Sequence, residues 1–301
     1  MDIRKHLICP DCQSKLDVND GLICRICGRI FYEREGIFIL LPSEVSAVDL
    51  SEERFWNTDS KEGVRVHPSL ALLAKNGDIR FFYERILPEL KLEGKVLEIG
   101  SGSCWLSSLV KFFFPNIFIV ATDVAFSALC KGQQVSNFLK TKIDSLIVCK
   151  AERIPFEGGF FDFVLGSAVL HHTNAHEALN QVFRVLKEGG LFIGLGEPSI
   201  PKMLKPLWSS RFIAGWREKK LGVEEGSYSF SEWEKLFHES GFGDVQFKLR
   251  MEPKYREGSC LINLYYYAIS FLPKSVVIRL LPCIIQVTAR KPIEIDTKKI
   301  G

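Results

Sequence analysis

Residues 95–104, K-V-L-E-I-G-S-G-S-C, constrain the fold more than any other part of the chain. Val96, Leu97 and Ile99 predict a short buried strand. Gly100-Ser-Gly102 predicts a sharp turn, and the apolar run 105–114 predicts a helix. Strand, glycine turn and helix in that order build the ligand crevice of an α/β fold, because glycine lets backbone approach a ligand with no Cβ in the way. A dinucleotide fingerprint would need a glycine where Trp105 stands, and no G-x-x-x-x-G-K-[ST] phosphate loop is present. Instead an acid, Glu98, lies two residues before the first glycine. A carboxylate there suits a cationic or amine-bearing ligand rather than a pyrophosphate.

A second strand is expected over 117–121, leading to Asp123. An acid at the end of the second strand, about 20 residues past the glycine loop, can accept hydrogen bonds from both ribose hydroxyls of a nucleoside. Asp123 can also cap the helix that begins near Ala125, and the two roles are compatible. Residues 146–149 predict a third strand and 160–166 a fourth. Ala178, Leu179, Val182, Val185 and Leu186 give helical spacing that is expected to end on Gly189-Gly190, and 191–196 is a fifth strand. Residues 245–249 and 284–289 predict two last strands, paired antiparallel at the sheet edge.

Four cysteines stand apart from this pattern. Cys9-Pro-Asp-Cys12 and Cys24-Arg-Ile-Cys27 are separated by 11 residues, and their contexts echo each other, L-I-C-P-D-C and L-I-C-R-I-C-G. Two such knuckles can close around one ion, and four thiolates suit tetrahedral Zn²⁺. A segment of about 40 residues is too small to bury a core of its own, so its folding is expected to depend on the metal.

These motifs together carry a resemblance. Glu98-Ile-Gly100-Ser-Gly102 resembles the opening of E-x-G-x-G-x-G, the first motif of class I S-adenosylmethionine-dependent methyltransferases, with Cys104 at the third glycine. Residues 150–156, K-A-E-R-I-P-F, resemble the D-A-x-x-L-P-F segment of that family, with Lys150 in place of the usual acid. The stretch F-D-F-V-L-G-S-A-V-L-H-H from Phe161 to His172 resembles its F-D-x-V…L-H-H stretch. The likeness, of the UbiE-like kind (methyltransferase domain type 11), covers about residues 90–197. The N-terminal 42 residues resemble the Trm112-like zinc ribbon found ahead of many bacterial methyltransferase domains.

The resemblance implies a doubly wound, Rossmann-like, mostly parallel α/β sheet with an antiparallel last strand, plus the small ribbon. The expected division is 1–42 ribbon, 43–93 linker and cofactor-covering helices, and 94–290 methyltransferase domain with insertions at about 198–228 and 255–282. It implies S-adenosylmethionine as cofactor, held by Glu98, Gly100, Gly102, Asp123, Ala151, Glu152 and Ser167, and Zn²⁺ on Cys9, Cys12, Cys24 and Cys27. His172 is the candidate general base and His171 its neighbour. Methyl transfer from a sulfonium can proceed by positioning alone, so a base is not obligatory.

Composition narrows the partners. A chain of 301 residues with 47% hydrophobic and 25% charged residues is ordinary for a soluble protein of one large and one small domain. The net charge of +3 gives no footprint for nucleic acid, and residues 1–41 balance six basic against six acidic side chains. No secretory h-region opens the sequence, so a cytoplasmic protein with reduced thiols is expected. In the first insertion, 199–220 carries six basic residues and one acid, with Trp208, Phe212 and Trp216 interleaved. That is either a lid packed down by its aromatics or a surface for an anionic or amphipathic substrate. Residues 260–282 form an unusually apolar insertion expected to pack on the domain, with a partner chain or a membrane surface as the other readings. The leading function is methylation of a small-molecule, sugar- or lipid-linked acceptor. The alternatives are an RNA base methyltransferase guided by the ribbon and a non-catalytic protein with a degenerate cofactor pocket.

Overall fold

The computed structural model describes residues 1–19, 21–44, 82–208, 226–250 and 260–294. Residues 45–81, most of the expected linker and cofactor-covering segment, and Phe212 and Trp216 of the aromatic-basic cluster lie outside these residues.

A mixed, mostly parallel sheet runs through the molecule. Its parallel part comprises β4 (Lys95–Ile99), β5 (Phe118–Asp123), β6 (Ser145–Val148), β7 (Phe161–Ser167) and β8 (Leu186–Ser199). β9 (Gly243–Arg250) and β10 (Cys283–Arg290) add antiparallel strands in the order β8-β10-β9. The other edge is closed by the N-terminal segment. β1 (Leu22–Ile23), β2 (Ile30–Arg34) and β3 (Ile37–Ile39) form antiparallel pairs, and β3 then runs parallel beside β6. The cysteine ribbon is thus continuous with the central sheet. Backbone bonds from Ile8 N–H to the Pro155 carbonyl (3.1 Å) and from Leu40 N–H to the Val148 carbonyl (2.9 Å) tie it down.

Helices cover both faces, and strand alternation decides which residue meets which helix. Val96, Ile119, Leu165 and Ile193 face α1 (Trp105–Phe113), burying Leu106, Leu109 and Val110. Ala121, Leu146 and Val148 meet α2 (Phe126–Phe138) through Leu129. Leu97, Val164 and Phe192 belong to the main core cluster with α3 (Ala175–Val185) and α4 (Phe230–Glu239), whose Trp233 is fully buried. Strands covered on both faces read as near-continuous apolar runs, which is why periodicity located them.

One boundary differs from expectation, and two others are set by local chemistry. The helix of Leu179 and Val182 ends at Val185, and Gly189 (φ +72) lies inside β8 instead of capping the helix. The capping box of α4 is built by Ser229 and Glu232, two residues earlier than S-E-W-E at 231–234 suggests. The Glu232 carboxylate accepts the Ser229 backbone N–H and hydroxyl, each at 2.7 Å. The apolar insertion is two helices, α5 (Cys260–Ile269) and α6 (Lys274–Leu280), joined by the turn 270–273, with Pro273 at the N-cap of α6.

The third position of the glycine motif is resolved by packing. Cys104 has a left-handed backbone (φ +54), as glycine would, and its buried thiol points at α2. A Cβ built on Gly132 of α2 would lie 2.4 Å from that sulfur, so the missing glycine in the loop is matched by a glycine in the helix. Gly132→Ala gains about 1 kcal/mol of helix propensity but overpacks the thiol at about 1–3 kcal/mol, and is expected to lower stability in urea denaturation. In a Cys104→Gly background the same substitution is expected to change sign and stabilise the protein by about 1 kcal/mol. A destabilising Gly132→Ala in both backgrounds contradicts this packing.

Candidate active site

Chain direction reverses between β4 and β7. From β4 the chain steps outward to β5 and β6, and then returns to the other side of β4 as β7 and β8. Loops leaving the carboxyl ends of β4 and β7 therefore diverge and leave a crevice, the place where open α/β sheets bind ligands.

Two acids flank it. Glu98 pairs in register with Ala121, and Asp123 lies two residues beyond Ala121, so both carboxylates leave the same face of the sheet. Glu98 is 2% exposed and Asp123 7%. Glu98 Oε2 accepts the Ser107 backbone N–H at 2.8 Å and also the Ser107 hydroxyl, which ties the strand to the first turn of α1. Asp123 accepts the Gly102 N–H at 2.8 Å on one oxygen and the Ala125 N–H at 2.9 Å on the other. Asp123 thus closes the glycine loop as well as starting α2. The Val124 backbone N–H also acts on Asp123, and an ionised carboxylate has about four acceptor positions, so about one remains for another donor.

Burial pushes Glu98 up to about 8, with the Asp123 charge adding to it, and burial likewise raises Asp123. A cation in the crevice would favour ionisation of both. The donor set therefore fits a positively charged nucleoside such as the sulfonium cofactor. Cys104 leaves the crevice clear, since its thiol is turned into α2.

Gly100 (φ +58) serves a second purpose. A Cβ there would meet Val169 Cγ2 at 2.2 Å, so the glycine admits the turn that follows β7. That turn is held by Glu197 of β8, 1% exposed, whose role the sequence reading missed. Its carboxylate accepts the backbone N–H groups of Val169 and Leu170 at 3.0 Å and of His171 at 3.2 Å. It also sits 2.8 Å from His171 Nδ1. The signal was available: an acid at the end of a buried apolar strand, as at Glu98 and Asp123. His171 is fixed by this acid, and the His172 ring lies against it with centroids 4.0 Å apart.

A cavity of about 800 Å³ opens beside this turn. Lys150, Glu152, His171, His172 and Asn174 line it on the sheet side, and Asp11, Ser43 and Glu44 on the ribbon side. Glu152 accepts the Asn174 N–H at 2.9 Å, joining the loop after β6 to the start of α3. Glu152 and His172 thus share one cavity, with the half-buried Ala151 next to Glu152, while Ser167 ends β7 nearer the glycine loop. Tyr83, on the segment expected to cover the cofactor, is half exposed, with its ring centroid 5.4 Å from that of Phe113.

The ribbon's cysteines also converge. Ligand atoms of Cys9, Cys12, Cys24 and Cys27 all lie within 4.8 Å of one another. The knuckles are built alike. Gln13 N–H bonds the Cys9 carbonyl at 2.9 Å and Gly28 N–H the Cys24 carbonyl at 2.8 Å, both with positive φ. The four sulfurs can hold one tetrahedral ion.

Comparisons with known proteins agree with this geometry. Residues 97–194 match the methyltransferase domain family. The ubiquinone/menaquinone biosynthesis C-methyltransferase UbiE of Bordetella parapertussis is 31% identical over 140 residues, 45% of this chain and 54% of that protein. The chain spans 6% to 54% of the length of the first curated relatives it matches. Among solved structures, geranyl diphosphate C-methyltransferase from Streptomyces coelicolor A3(2) superposes with a TM-score of 0.58 at 13% identity, over 83% of this chain and 100% of that one. A chain from the complex of the Haloferax volcanii Trm112 methyltransferase activator gives 0.54 at 12% identity, over 83% of this chain and 99% of that one. At these identities the structural likeness speaks for the fold.

The raised Glu98 generates a pH prediction. A carboxyl whose folded pKa exceeds its unfolded value binds its proton more tightly when folded, so stability falls as pH rises from its ordinary value of 4.5 through about 8. Glu98→Gln is expected to flatten that fall, matching the parent at acid pH and exceeding it in melting temperature at alkaline pH. Parallel melting curves for the two proteins would contradict the assignment.

Proposed function

We propose that this chain, whose residues 97–194 are a class I methyltransferase domain, transfers the methyl group of S-adenosylmethionine to a small-molecule acceptor, lipid- and sugar-linked molecules included. The observation that carries the reading is the pair of buried acids on one sheet face at the reversal point, each raised by desolvation.

The bound cofactor supplies an electrophilic methyl and a neutral thioether leaving group. The chain's own part is to hold and orient. Glu98 and the backbone at Gly100 and Gly102 would face the methionine end, Asp123 the ribose hydroxyls, Ala151 and Glu152 the adenine, and Ser167 the β7 side of the crevice. His172, at the wall of the cavity, is positioned to take a proton from the acceptor, with Glu197 fixing its neighbour His171. The name of the UbiE relative, a C-methyltransferase of quinone biosynthesis, supports a small organic acceptor. An RNA acceptor guided by the ribbon is the second reading, because ribbon residues line the cavity. On that side the cavity is lined by Asp11 and Pro42 of the ribbon and by Ser43 and Glu44 just after it, two of the four acidic, which disfavours a phosphate backbone. Zn²⁺ on the four cysteines would fold the ribbon against β6.

Calorimetric titration with S-adenosylmethionine tests the cofactor site. The parent is expected to bind, and Asp123→Ala to weaken binding by about 1–3 kcal/mol; absence of heat and of any thermal shift at about 1 mM ligand would favour a degenerate pocket. His172→Asn is expected to lower kcat about a hundredfold with cofactor affinity intact. An unchanged kcat would leave positioning as the whole source of rate. Elemental analysis is expected to find one zinc per chain, and its removal by chelator to lower the melting temperature. A full complement of folded, metal-free protein would contradict the zinc assignment. Untargeted mass spectrometry of a deletion strain, seeking a product one CH₂ lighter, identifies the acceptor.

A further inference from the structure

The hairpin of α5 and α6 is apolar on two sides. Its inner side is core, with Tyr266 and Ile269 each 4% exposed and Val277 fully buried. Its outer side is apolar as well. Leu264, Tyr267 and Phe271 follow one another along α5 and the turn after it, at 60%, 57% and 72% exposure. Leu272, Val276 and Leu280 follow at a spacing of four into α6, exposed at 42%, 37% and 54%. The rings of Tyr267 and Phe271 meet edge to face at 5.0 Å, so the tip is a joined surface rather than scattered side chains. Isolated exposed apolar residues need no explanation, but a contiguous apolar tip does.

Charge identifies the occupant. No Asp or Glu occurs between Glu257 and Glu294, while Lys274 and Arg279 are exposed on α6. Neither cation has a carboxylate partner among the described residues. The charged groups that line the cavity beside Lys274 are Arg85, Lys248 and Glu89, the last paired with Lys248 at 3.1 Å, so an apolar tip with tyrosine at its border and net positive charge beside it complements an anionic lipid surface. No described helix is long and apolar enough to cross a membrane, so such a contact would lie in the interface.

Topology fixes what the contact would orient. Cys283, where β10 begins, pairs with Ser199 at the carboxyl end of β8, and Arg250, where β9 ends, pairs with Ile284. The hairpin therefore leaves the sheet at the same edge as the loops after β4, β6 and β7.

We propose that the α5–α6 hairpin is an interfacial anchor that seats the crevice edge of the sheet on an anionic lipid bilayer. Phe271 and Leu272 enter the acyl boundary, and Lys274 and Arg279 lie against the headgroups. The docking is independent of methyl transfer and can be read without it.

Co-sedimentation of the full chain with phosphatidylcholine vesicles, with and without phosphatidylglycerol, tests it. The parent is expected to pellet with the anionic vesicles at about 1 mM lipid and to be released as salt rises. Phe271→Ser with Leu272→Ser is expected to weaken binding about tenfold or more, with circular dichroism and melting temperature unchanged. Lys274→Glu with Arg279→Glu is expected to abolish the preference for anionic lipid while leaving the fold intact. Failure of the folded parent to pellet, or equal binding by folded variants, overturns the proposal. So does a gel-filtration dimer that the serine variant dissolves, which would make the tip an interface between two copies of the chain.

Discussion

Two carboxylates buried side by side, Glu98 and Asp123, are the constraint around which the rest of the site is arranged. Removing a charge from water is unfavourable unless hydrogen bonds or an opposite charge replace the solvent. Here the replacement is backbone and hydroxyl: Ser107 for Glu98, and the amides of Gly102 and Ala125 for Asp123. Those bonds define the entry of α1, the glycine loop between the acids and the entry of α2. The compensation is incomplete, since burial still raises both acids. A cationic ligand would complete it, which ties the electrostatics of the fold to the chemistry of the site.

A third acid repeats the device on the other side of the crevice. Glu197 gathers three backbone amides and the His171 ring, setting the turn that packs Val169 over Gly100. The crevice is therefore walled by two loops, each folded on a buried carboxylate of a central strand. Beside it, β3 adds to β6, so Asp11 and Pro42 of the ribbon, with Ser43 and Glu44 just after it, line the same cavity as Glu152 and His172, a cavity whose described lining does not include Glu98, Gly100, Gly102 or Asp123.

Much of this was legible in the sequence because local spacing carried it. Apolar runs marked β4 to β8, glycines marked the turn after β4, and the interval from Gly100 to Asp123 located the second acid. The paired C-x-x-C knuckles announced four converging sulfurs. What could not be read was set by contacts between residues distant in the chain. Nothing near Cys104 says that its thiol finds room at Gly132, and nothing near Ile37 says that it will pair with Leu146. Glu197 is an intermediate case. The rule that singled out Glu98 and Asp123, an acid ending a buried strand, applies to it equally, but its partners are on a turn 26 to 28 residues earlier. The helix end was misplaced because the chain passes directly from helix to strand at Val185, where β8 pairs with β7, and Gly189 is left inside β8.

Proton linkage tests the account most directly. A cation that settles beside Glu98 favours the ionised form of the carboxyl that burial holds up at about 8, and so drives its proton off. Calorimetry of S-adenosylmethionine binding near neutral pH, in buffers of different ionisation enthalpy, counts that proton. The account predicts release of close to one proton per cofactor by the parent protein and almost none by Glu98→Gln. Binding with no proton release by the parent, or with the same release by both proteins, would contradict it.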